Sequence, residues 1–489
     1  MFRAAKSFLF KNKTPGQTIA KNTVWLFVSF IGSRLLRVVI LVWAARVLGS
    51  SGWGAFSYAL SFAAFFTVFT DFGMSAVITR ESSKNIASQE RYFATGLLIK
   101  SIMLAAAAVV IAVLFPLLTP HDTIVSLLPL VVLLVIFDSM RDFAATLSRA
   151  WEKMEVEAGI QLFTNAAIVV VGAAALILSP TPKSFTVAYT IAVAAGMLVA
   201  LYPFRRYLLH LRRMCSWALV KPILAASWPF GMVALMGAVL LNTDVVMIGW
   251  YKTTEAVGYY AAGQRVAQLI YAVPALIAAA FFPQMARANS DGTGRSSLLN
   301  KALKLQVLLA VPATIAGFFG ARAIVTLLYG AAYEGSVGSF AVMSITYLPV
   351  FISAVSSNAL FAAGHERHLL RYVVAGITGN VLLNFLFIPR FGIEGAAWST
   401  VINQAAITAY LLFMLRRHIS YSLDPGMWKI AVAGGTALLL AIYGMRTASY
   451  SLLPLIAAAA SYLLVLVVLK EELLMQVLRF FRPRETSAR

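Results

Sequence analysis

Long apolar segments alternate with short polar connections along the whole chain. A helix needs about 17–25 apolar residues to cross a bilayer, and fourteen segments of this kind can be drawn in the 489 residues. Their approximate ranges are 22–46, 53–73, 92–117, 123–146, 158–179, 184–204, 224–250, 257–284, 303–328, 336–362, 370–389, 394–415, 428–446 and 451–469. The pattern predicts an all-α polytopic membrane protein with about 14 transmembrane helices.

The composition and the lengths of the connections limit the classes of protein to which this chain can belong. The chain is 60% hydrophobic and 12% charged, whereas a soluble protein is about 25% charged. Its longest connections have about 20 residues, too few for a soluble catalytic domain or for the large external loop expected of a membrane glycan polymerase or ligase. We therefore expect a transporter and not an enzyme.

The net charge of +21 follows the membrane topology. Of the 40 basic residues, 30 fall in the N-terminal segment, in every second connection and in the C-terminal tail, 6 on the opposite side and 4 inside the spans. Because Lys and Arg concentrate in cytoplasmic loops, both termini are predicted to be cytoplasmic. The basic charge is explained in this way, and we expect no nucleic-acid partner.

An internal repeat relates the two halves. GSSGWGAFSYALSF follows the first span and TTEAVGYYAAGQRV follows the seventh, so Gly54 and Gly258 match at an offset of 204. Six spans per repeat bring both halves in from the same side, which makes the repeats parallel. We predict two parallel six-helix bundles around a central cavity, plus two C-terminal helices. The predicted regions are a basic amphipathic N-terminal segment (1–21), the N-terminal bundle (22–215), the C-terminal bundle (216–418), and two additional helices with a basic cytoplasmic tail (419–489).

Four cations stand inside predicted spans: Arg34, Arg37, Lys100 and Arg265. Such side chains are costly in lipid and usually face a wet cavity or a partner. Arg34 and Arg37 share one helix face, and arginine suits phosphate because its planar fork donates two hydrogen bonds at once. We expect this pair to line the cavity, with buried ion pairing as the alternative. Lys100 and Arg265 either line the cavity or extend to the nearer membrane surface.

Acidic and amide side chains are few in the spans. Asp244 is the deepest acid, and it either pairs with Arg265 or titrates in coupling to H⁺ or Na⁺. Asp71 and Asp138 are expected to cap helix ends or to pair with Arg141. The amides either line the cavity or hydrogen-bond between helices; they are Asn165, Asn242, Gln306, Asn358, Asn380, Asn384 and Asn403.

Metal and cofactor sites are not predicted. The histidines lie in loops or at helix ends, and His365 and His368, on either side of Glu366, lack an established ligand framework. The single cysteine, Cys215, cannot form an internal disulfide. A phosphate-binding glycine loop is absent from the sequence, so ATP hydrolysis is not indicated.

The stretch TGNVLLNFLFIPRFGIEGAAWSTVI, residues 378–402, contains a compact hairpin pattern. Pro389 ends one helix, and Gly392 and Gly395 allow a sharp turn and close packing of the next. This stretch resembles the polysaccharide-export family of oligosaccharide flippases within the multidrug/oligosaccharidyl-lipid/polysaccharide exporter superfamily. ARVLGSSGWGAFSYALSFAAFFTVFTDFGMSAVITRE, residues 45–81, and AVGYYAAGQRV are similar to other segments of the same family.

The resemblance implies a flippase for undecaprenyl-diphosphate-linked oligosaccharides, the precursors of O-antigen, capsule or exopolysaccharide, in the bacterial plasma (inner) membrane. It implies headgroup contacts at Arg34, Arg37 and Arg265. Expected partners are the lipid-linked glycan, membrane lipids, a glycan polymerase and glycosyltransferases. A lipid II flippase and a drug/cation antiporter of the same superfamily are the alternatives; the antiporter predicts an acidic cavity, whereas the intramembrane bases outnumber the deep acid here.

Overall fold

A computed structural model describes residues 15–84, 89–119, 121–151, 153–205, 214–287, 293–419, 424–447 and 451–481. These residues are mostly helical and contain no strand. The helices are α1 Pro15–Asp71, α2 Met74–Lys84, α3 Gln89–Leu118, α4 Asp122–Val125, α5 Leu128–Ala150, α6 Met154–Leu178, α7 Pro182–Leu201, α8 Trp217–Tyr251, α9 Thr254–Ile270, α10 Ala272–Arg287, α11 Thr293–Phe319, α12 Ala321–Tyr329, α13 Val337–Ser344, α14 Tyr347–Ala362, α15 Glu366–His418, α16 Met427–Thr447, α17 Leu453–Val468 and α18 Glu472–Phe481.

The apolar helices confirm a polytopic all-α membrane protein. Within the described residues, seven helices are long and apolar enough to cross a membrane, or up to nine if each bent helix pair forms one span. Some of these helices hold more than one predicted span, as α15 holds the predicted spans 370–389 and 394–415. The count of fourteen spans stays a prediction.

Two helices are too long for a single crossing. Helix α1 has 57 residues and α15 has 53, which would extend about 80 Å or more if straight, against a hydrocarbon core of about 30 Å. Each is broken at one glycine with positive φ, Gly49 (φ 68°) in α1 and Gly392 (φ 61°) in α15. Residues with a side chain rarely adopt this conformation, so the glycines determine where each helix divides into two arms.

The first compact unit comprises residues Met1–Gly258. Close backbone contact joins the start of the second arm of α1 to α9, because a Cβ at Gly54 would lie 1.8 Å from the Thr254 carbonyl oxygen. A Cβ at Gly258 would lie 1.9 Å from the carbonyl oxygen of Ser50. Each of the two glycines matched by the repeat therefore packs against the backbone four residues before the other glycine. Only glycine fits at either position.

The second compact unit comprises residues Tyr259–Arg489. Its C-terminal helices pack on α11, where the Tyr462 hydroxyl donates to the Leu308 carbonyl oxygen at 2.8 Å. The Lys304 ammonium lies 2.8 Å from the buried Glu471 carboxylate and 3.1 Å from Asp424. Burial alone would raise the pKa of Asp424, but the Gly426 N–H and Lys304 hold that pKa below its usual value.

The boundary between the two compact units lies 43 residues after the predicted bundle boundary at 215/216. Helix α8 belongs to the first unit because it packs tightly on the end of α1, where a Cβ at Gly231 would lie 2.5 Å from the Phe72 carbonyl oxygen. The predicted boundaries follow the sequence repeat and this division follows contacts. The repeat-based regions stay a prediction.

Candidate functional site

Arg34 and Arg37 lie on the first arm of α1. Arg34 is exposed and Arg37 is partly buried, and α1 approaches α6 closely here, since a Cβ at Gly32 would lie 2.9 Å from the Leu162 side chain. Their spacing of three residues places both guanidinium groups on one side of the helix. We call this feature the arginine face of α1, defined by Arg34 and Arg37.

Asn165 on α6 holds Arg37 in position. The Arg37 Nε–H donates to the Asn165 Oδ1 at 3.0 Å. Asn165 is 1% exposed, and its own amide group donates to the Gln161 carbonyl oxygen at 2.8 Å, which leaves Oδ1 as the acceptor for Arg37. Among the described residues no salt bridge includes Arg37, although its positive charge acts electrostatically on the Asp138 carboxylate.

A polar cavity of about 280 Å³ lies inside the first unit. Its lining residues come from α1, α2, α3, α5, α6 and α8; they are Thr67, Val68, Asp71, Ser75, Lys100, Ser139, Asp142, Ala145, Arg149, Gln161 and Ala234. Gln161 both lines this cavity and accepts the hydrogen bond that orients Asn165. The cavity wall is thus connected to the arginine face through one turn of α6.

The cations of the cavity are paired with acids. The Lys100 ammonium lies 3.2 Å from Asp71, and the Arg149 guanidinium lies 2.5 Å from Glu157. The Asp71 carboxylate also accepts a hydrogen bond from the Ser75 hydroxyl at 2.5 Å. The polar wall is therefore close to charge balance, unlike the Arg37 side chain with its neutral amide partner.

Lys100 lies inside the first unit, in the wall of the cavity. Its side chain is 1% exposed and pairs with Asp71, a partner that sequence reasoning did not assign. Asp138 pairs with Arg141 as expected, at 2.8 Å. The placement of Lys100 in a cavity wall keeps it a candidate for substrate contact, and that role stays a prediction.

Arg265 and Asp244 fall in different compact units. In the second unit, the partly buried Arg265 donates to the Gln268 side-chain oxygen on the next turn of α9 at 3.3 Å. In the first unit, Asp244 on α8 is 1% exposed. The predicted Asp244–Arg265 pair and the contact of Arg265 with a headgroup stay predictions.

The hairpin predicted around Pro389, Gly392 and Gly395 lies in α15, but the first arm continues through Pro389, where the prediction ended it, and the break is at Gly392. Gly392 has the positive φ that divides the helix, and a Cβ at Gly395 would lie 2.4 Å from the Phe387 carbonyl oxygen in the preceding arm. Farther along, the Asn403 amide donates to the Gly376 carbonyl oxygen at 2.9 Å, which joins the two arms. The amide therefore acts between helices, as the commoner role of such residues suggests.

Sequence reasoning missed several residues of the cavity wall. Ser139, Asp142 and Arg149 were not recognised, although spacings of three and seven residues place polar side chains on one face of α5. Gln161 was also missed, although it lies one turn before Asn165. A polar stripe within an apolar helix was the signal that could have identified them.

A polytopic helical fold with charged side chains among its apolar helices is typical of membrane transport proteins. The chain belongs to the polysaccharide biosynthesis protein family, whose model matches residues 19–289, more than half of its length. This match confirms the resemblance found in the sequence. The family and the structural relatives are transporters and flippases, not enzymes.

Individual relatives agree with this class. The "Probable low-salt glycan biosynthesis flippase Agl15" of Haloferax volcanii is 21% identical over 450 residues, covering 88% of this chain and 90% of the relative. The "Putative O-antigen transporter" of Shigella flexneri is 22% identical over 183 residues, covering 36% of this chain and 43% of the relative. The solved structure of lipid II flippase MurJ in an inward closed conformation has a TM-score of 0.77 at 16% identity, covering 93% of this chain and 100% of the other.

Proposed function

We propose that this protein is a flippase for a lipid-linked oligosaccharide, carried on undecaprenyl diphosphate or a related polyprenyl diphosphate, and that it works by alternating access. The flippase assignment is supported by the family and by relatives named as a glycan flippase and an O-antigen transporter. The translocated oligosaccharide is the repeat unit of an O-antigen, capsule or exopolysaccharide. The protein acts in the bacterial inner membrane with both termini cytoplasmic, as the distribution of basic residues supports.

The arginine face of α1 is the observation that carries this proposal. Arg37 donates from Nε to the neutral Asn165 and forms no salt bridge among the described residues, which supports a role for its guanidinium group in binding an anionic ligand. A diphosphate offers several acceptor oxygens to two arginine forks. The diphosphate binds Arg34 and Arg37, the sugar occupies the polar space among the helices, and the polyprenyl tail remains in lipid.

Lys100 and Arg265 are secondary contacts in this proposal. Lys100 reaches substrate only by exchanging its bond to Asp71, so we assign it a weaker role than the arginine face. Asp244 serves coupling to H⁺ or Na⁺, or pairs with Arg265. A glycan polymerase and glycosyltransferases supply or consume the substrate on the two sides of the membrane.

Charge removal at the arginine face tests the proposal. The double variant Arg34→Gln with Arg37→Gln should reduce surface glycan at least about 100-fold in cells that lack their own flippase, because two charge-assisted hydrogen bonds are worth roughly 1.5 kcal/mol or more each. Arg46→Gln, on the same helix and exposed, is the matched control and should retain export. Arg34→Lys with Arg37→Lys should export partially, since the charge remains and the fork is lost.

The same variants separate the rival substrates. Purified protein in proteoliposomes should move a polyprenyl-diphosphate oligosaccharide faster than lipid II, and the double glutamine variant should move neither. Preference for lipid II would favour the second candidate, which is supported by the likeness in fold to the lipid II flippase structure. Normal glycan export by the double glutamine variant at normal protein levels would refute the role of the arginine face.

A further inference from the structure

Three histidines come together at the open end of the α15 hairpin. His365 precedes the helix, His368 lies in its first turn and His418 is its last residue. Gly392 lies 26 residues after Glu366 and 26 residues before His418, so the two arms have equal length and their ends meet. The sequence showed only His365 and His368 as neighbours, and the fold adds His418.

We propose that His365, His368 and His418 form a binding site for a divalent transition metal ion of the Zn²⁺ type. Each residue offers one ring nitrogen, and the three nitrogens all lie within 4.8 Å of one another. Nitrogens around a tetrahedral zinc ion are about 3.4 Å apart when each bond is about 2.0–2.1 Å. Small ring rotations of these partly buried and exposed side chains bring the nitrogens to that separation.

The ring arrangement and one hydrogen-bond partner support the site. The centroids of the His365 and His418 rings lie 4.1 Å apart, and those of His368 and His418 lie 5.0 Å apart. The His368 Nδ1 atom lies 3.4 Å from the Tyr410 hydroxyl oxygen, which leaves Nε2 to bind the metal. Metal-binding histidines usually use their second nitrogen for such a contact, because it fixes the orientation of the ring.

The positive charges around the three histidines favour transition metal ions over calcium and magnesium. Arg295 acts electrostatically on His365 and Arg371 acts on His368, so this cluster of three histidines has positively charged neighbours. The same positive surroundings oppose any dication. Binding therefore depends on strong bonds to nitrogen, which favour zinc, nickel and copper and disfavour calcium and magnesium.

A bound metal would connect the beginning of α15 to its end. Three protein ligands leave at least one coordination position for water. The site is separate from the arginine face, which lies in the other compact unit, so its existence does not depend on the proposed transport function. We expect the bound metal to hold the two ends of α15 together.

Cobalt titration of the purified full-length chain tests this inference. The protein is purified through a tag without histidines, and Co²⁺ is used as a visible probe. Wild type should bind one Co²⁺ per chain with a tetrahedral absorption spectrum, and Zn²⁺ should displace it. Each single variant should weaken binding at least about tenfold: His365→Asn, His368→Asn and His418→Asn. Substituting residues that only support a metal ligand already causes a loss of about this size.

His121→Asn is the matched control, because His121 lies in the first unit and its Nε2 atom is 3.0 Å from the Lys252 carbonyl oxygen. This variant should bind Co²⁺ as wild type does. A second measurement follows unfolding: Zn²⁺ should raise the melting temperature of wild type and leave that of the triple asparagine variant unchanged. Equal Co²⁺ binding by wild type and the triple variant, or equal shifts in melting temperature, would overturn the inference.

Discussion

Helices α1 and α15 share one construction and carry different chemistry. Each exceeds 50 residues and is divided at a glycine in a backbone conformation that only glycine tolerates well. In α1 a polar side chain reaches out, since Arg37 donates to Asn165 on α6. In α15 neutral side chains join the two arms to each other and to a neighbouring helix, since Asn403 donates to Gly376 in the opposite arm and Gln404 donates to Ser353 of α14. The first helix therefore presents charge, and the second serves as scaffold.

Each helix also has a closely packed glycine shortly after its break, and these two glycines differ in what they contact. Gly54, five residues after the break in α1, lies against the Thr254 backbone of α9, whereas Gly395, three residues after the break in α15, lies against its own preceding arm. The same small residue thus joins separate helices in one case and closes a hairpin in the other. Packing context, and not residue type, determines its role.

The largest expected effect is at Gly54. Gly54→Ala places a Cβ 1.8 Å from a backbone oxygen, so α1 and α9 must separate, at a cost at or above the upper end of the roughly 1–3 kcal/mol typical of overpacking. We expect little folded protein, measured by size-exclusion chromatography after extraction from membranes. A Cβ at Gly159 would have no neighbour within 4 Å, so Gly159→Ala is the control and should behave as wild type. Wild-type yield and melting temperature for Gly54→Ala would contradict the close contact.

The two breaks should respond alike. Gly49→Ala and Gly392→Ala should each destabilise the protein by about 1–3 kcal/mol, because alanine is strained at these backbone angles. A Cβ at Gly49 would have no neighbour within 4 Å, so the stability lost in Gly49→Ala comes from backbone strain and not from a steric clash. Thermal unfolding in detergent measures both, with Gly435→Ala, in the interior of α16, as the control expected to be neutral or stabilising. Unchanged unfolding of either variant would show that its helix is not divided at that glycine.

The smallest expected effect is at two asparagines, of which Asn403 has a structural role and Asn165 also positions Arg37. Asn403→Ala should lower stability by about 0.6 kcal/mol and at most roughly 1.7 kcal/mol, the range measured for hydrogen bonds between membrane helices. Asn165→Ala should have a similar effect on stability, but it should also reduce glycan export because Arg37 loses its positioning partner. Unfolding and surface glycan are measured on the same variants. Equal export by the two variants would remove the distinction between α1 and α15.

Much of the helical framework follows from local hydropathy. The predicted spans 158–179 and 428–446 correspond to Met154–Leu178 and Met427–Thr447. The prediction was poorer for 303–328, because α11 begins at Thr293 and a new helix starts at Ala321. Hydropathy marks the apolar part of a helix and not its polar extension, so Arg295, Lys301 and Lys304 concealed the true start.

The candidate site was predicted in its residues and not in its contacts. The intramembrane cations, the deep acid and the Gly392 turn are visible in the sequence because an apolar run makes each exception stand out. Lys100 joins Asp71 across 29 positions, and Arg37 joins Asn165 across 128. Nothing local to either residue indicates which partner lies opposite, since that depends on how α1, α3 and α6 pack.

The sequence alone determined the membrane class, the apolar helices, the turn at Gly392 and the four cations, because hydropathy and backbone preference act over a few residues. Only the tertiary structure decided which charges are paired and which residues share a wall. It placed a neutral amide beside Arg37 and an acid beside Lys100, and it brought His418 to His365 through two arms of equal length. These outcomes depend on contacts between distant segments, which are fixed when the helices pack.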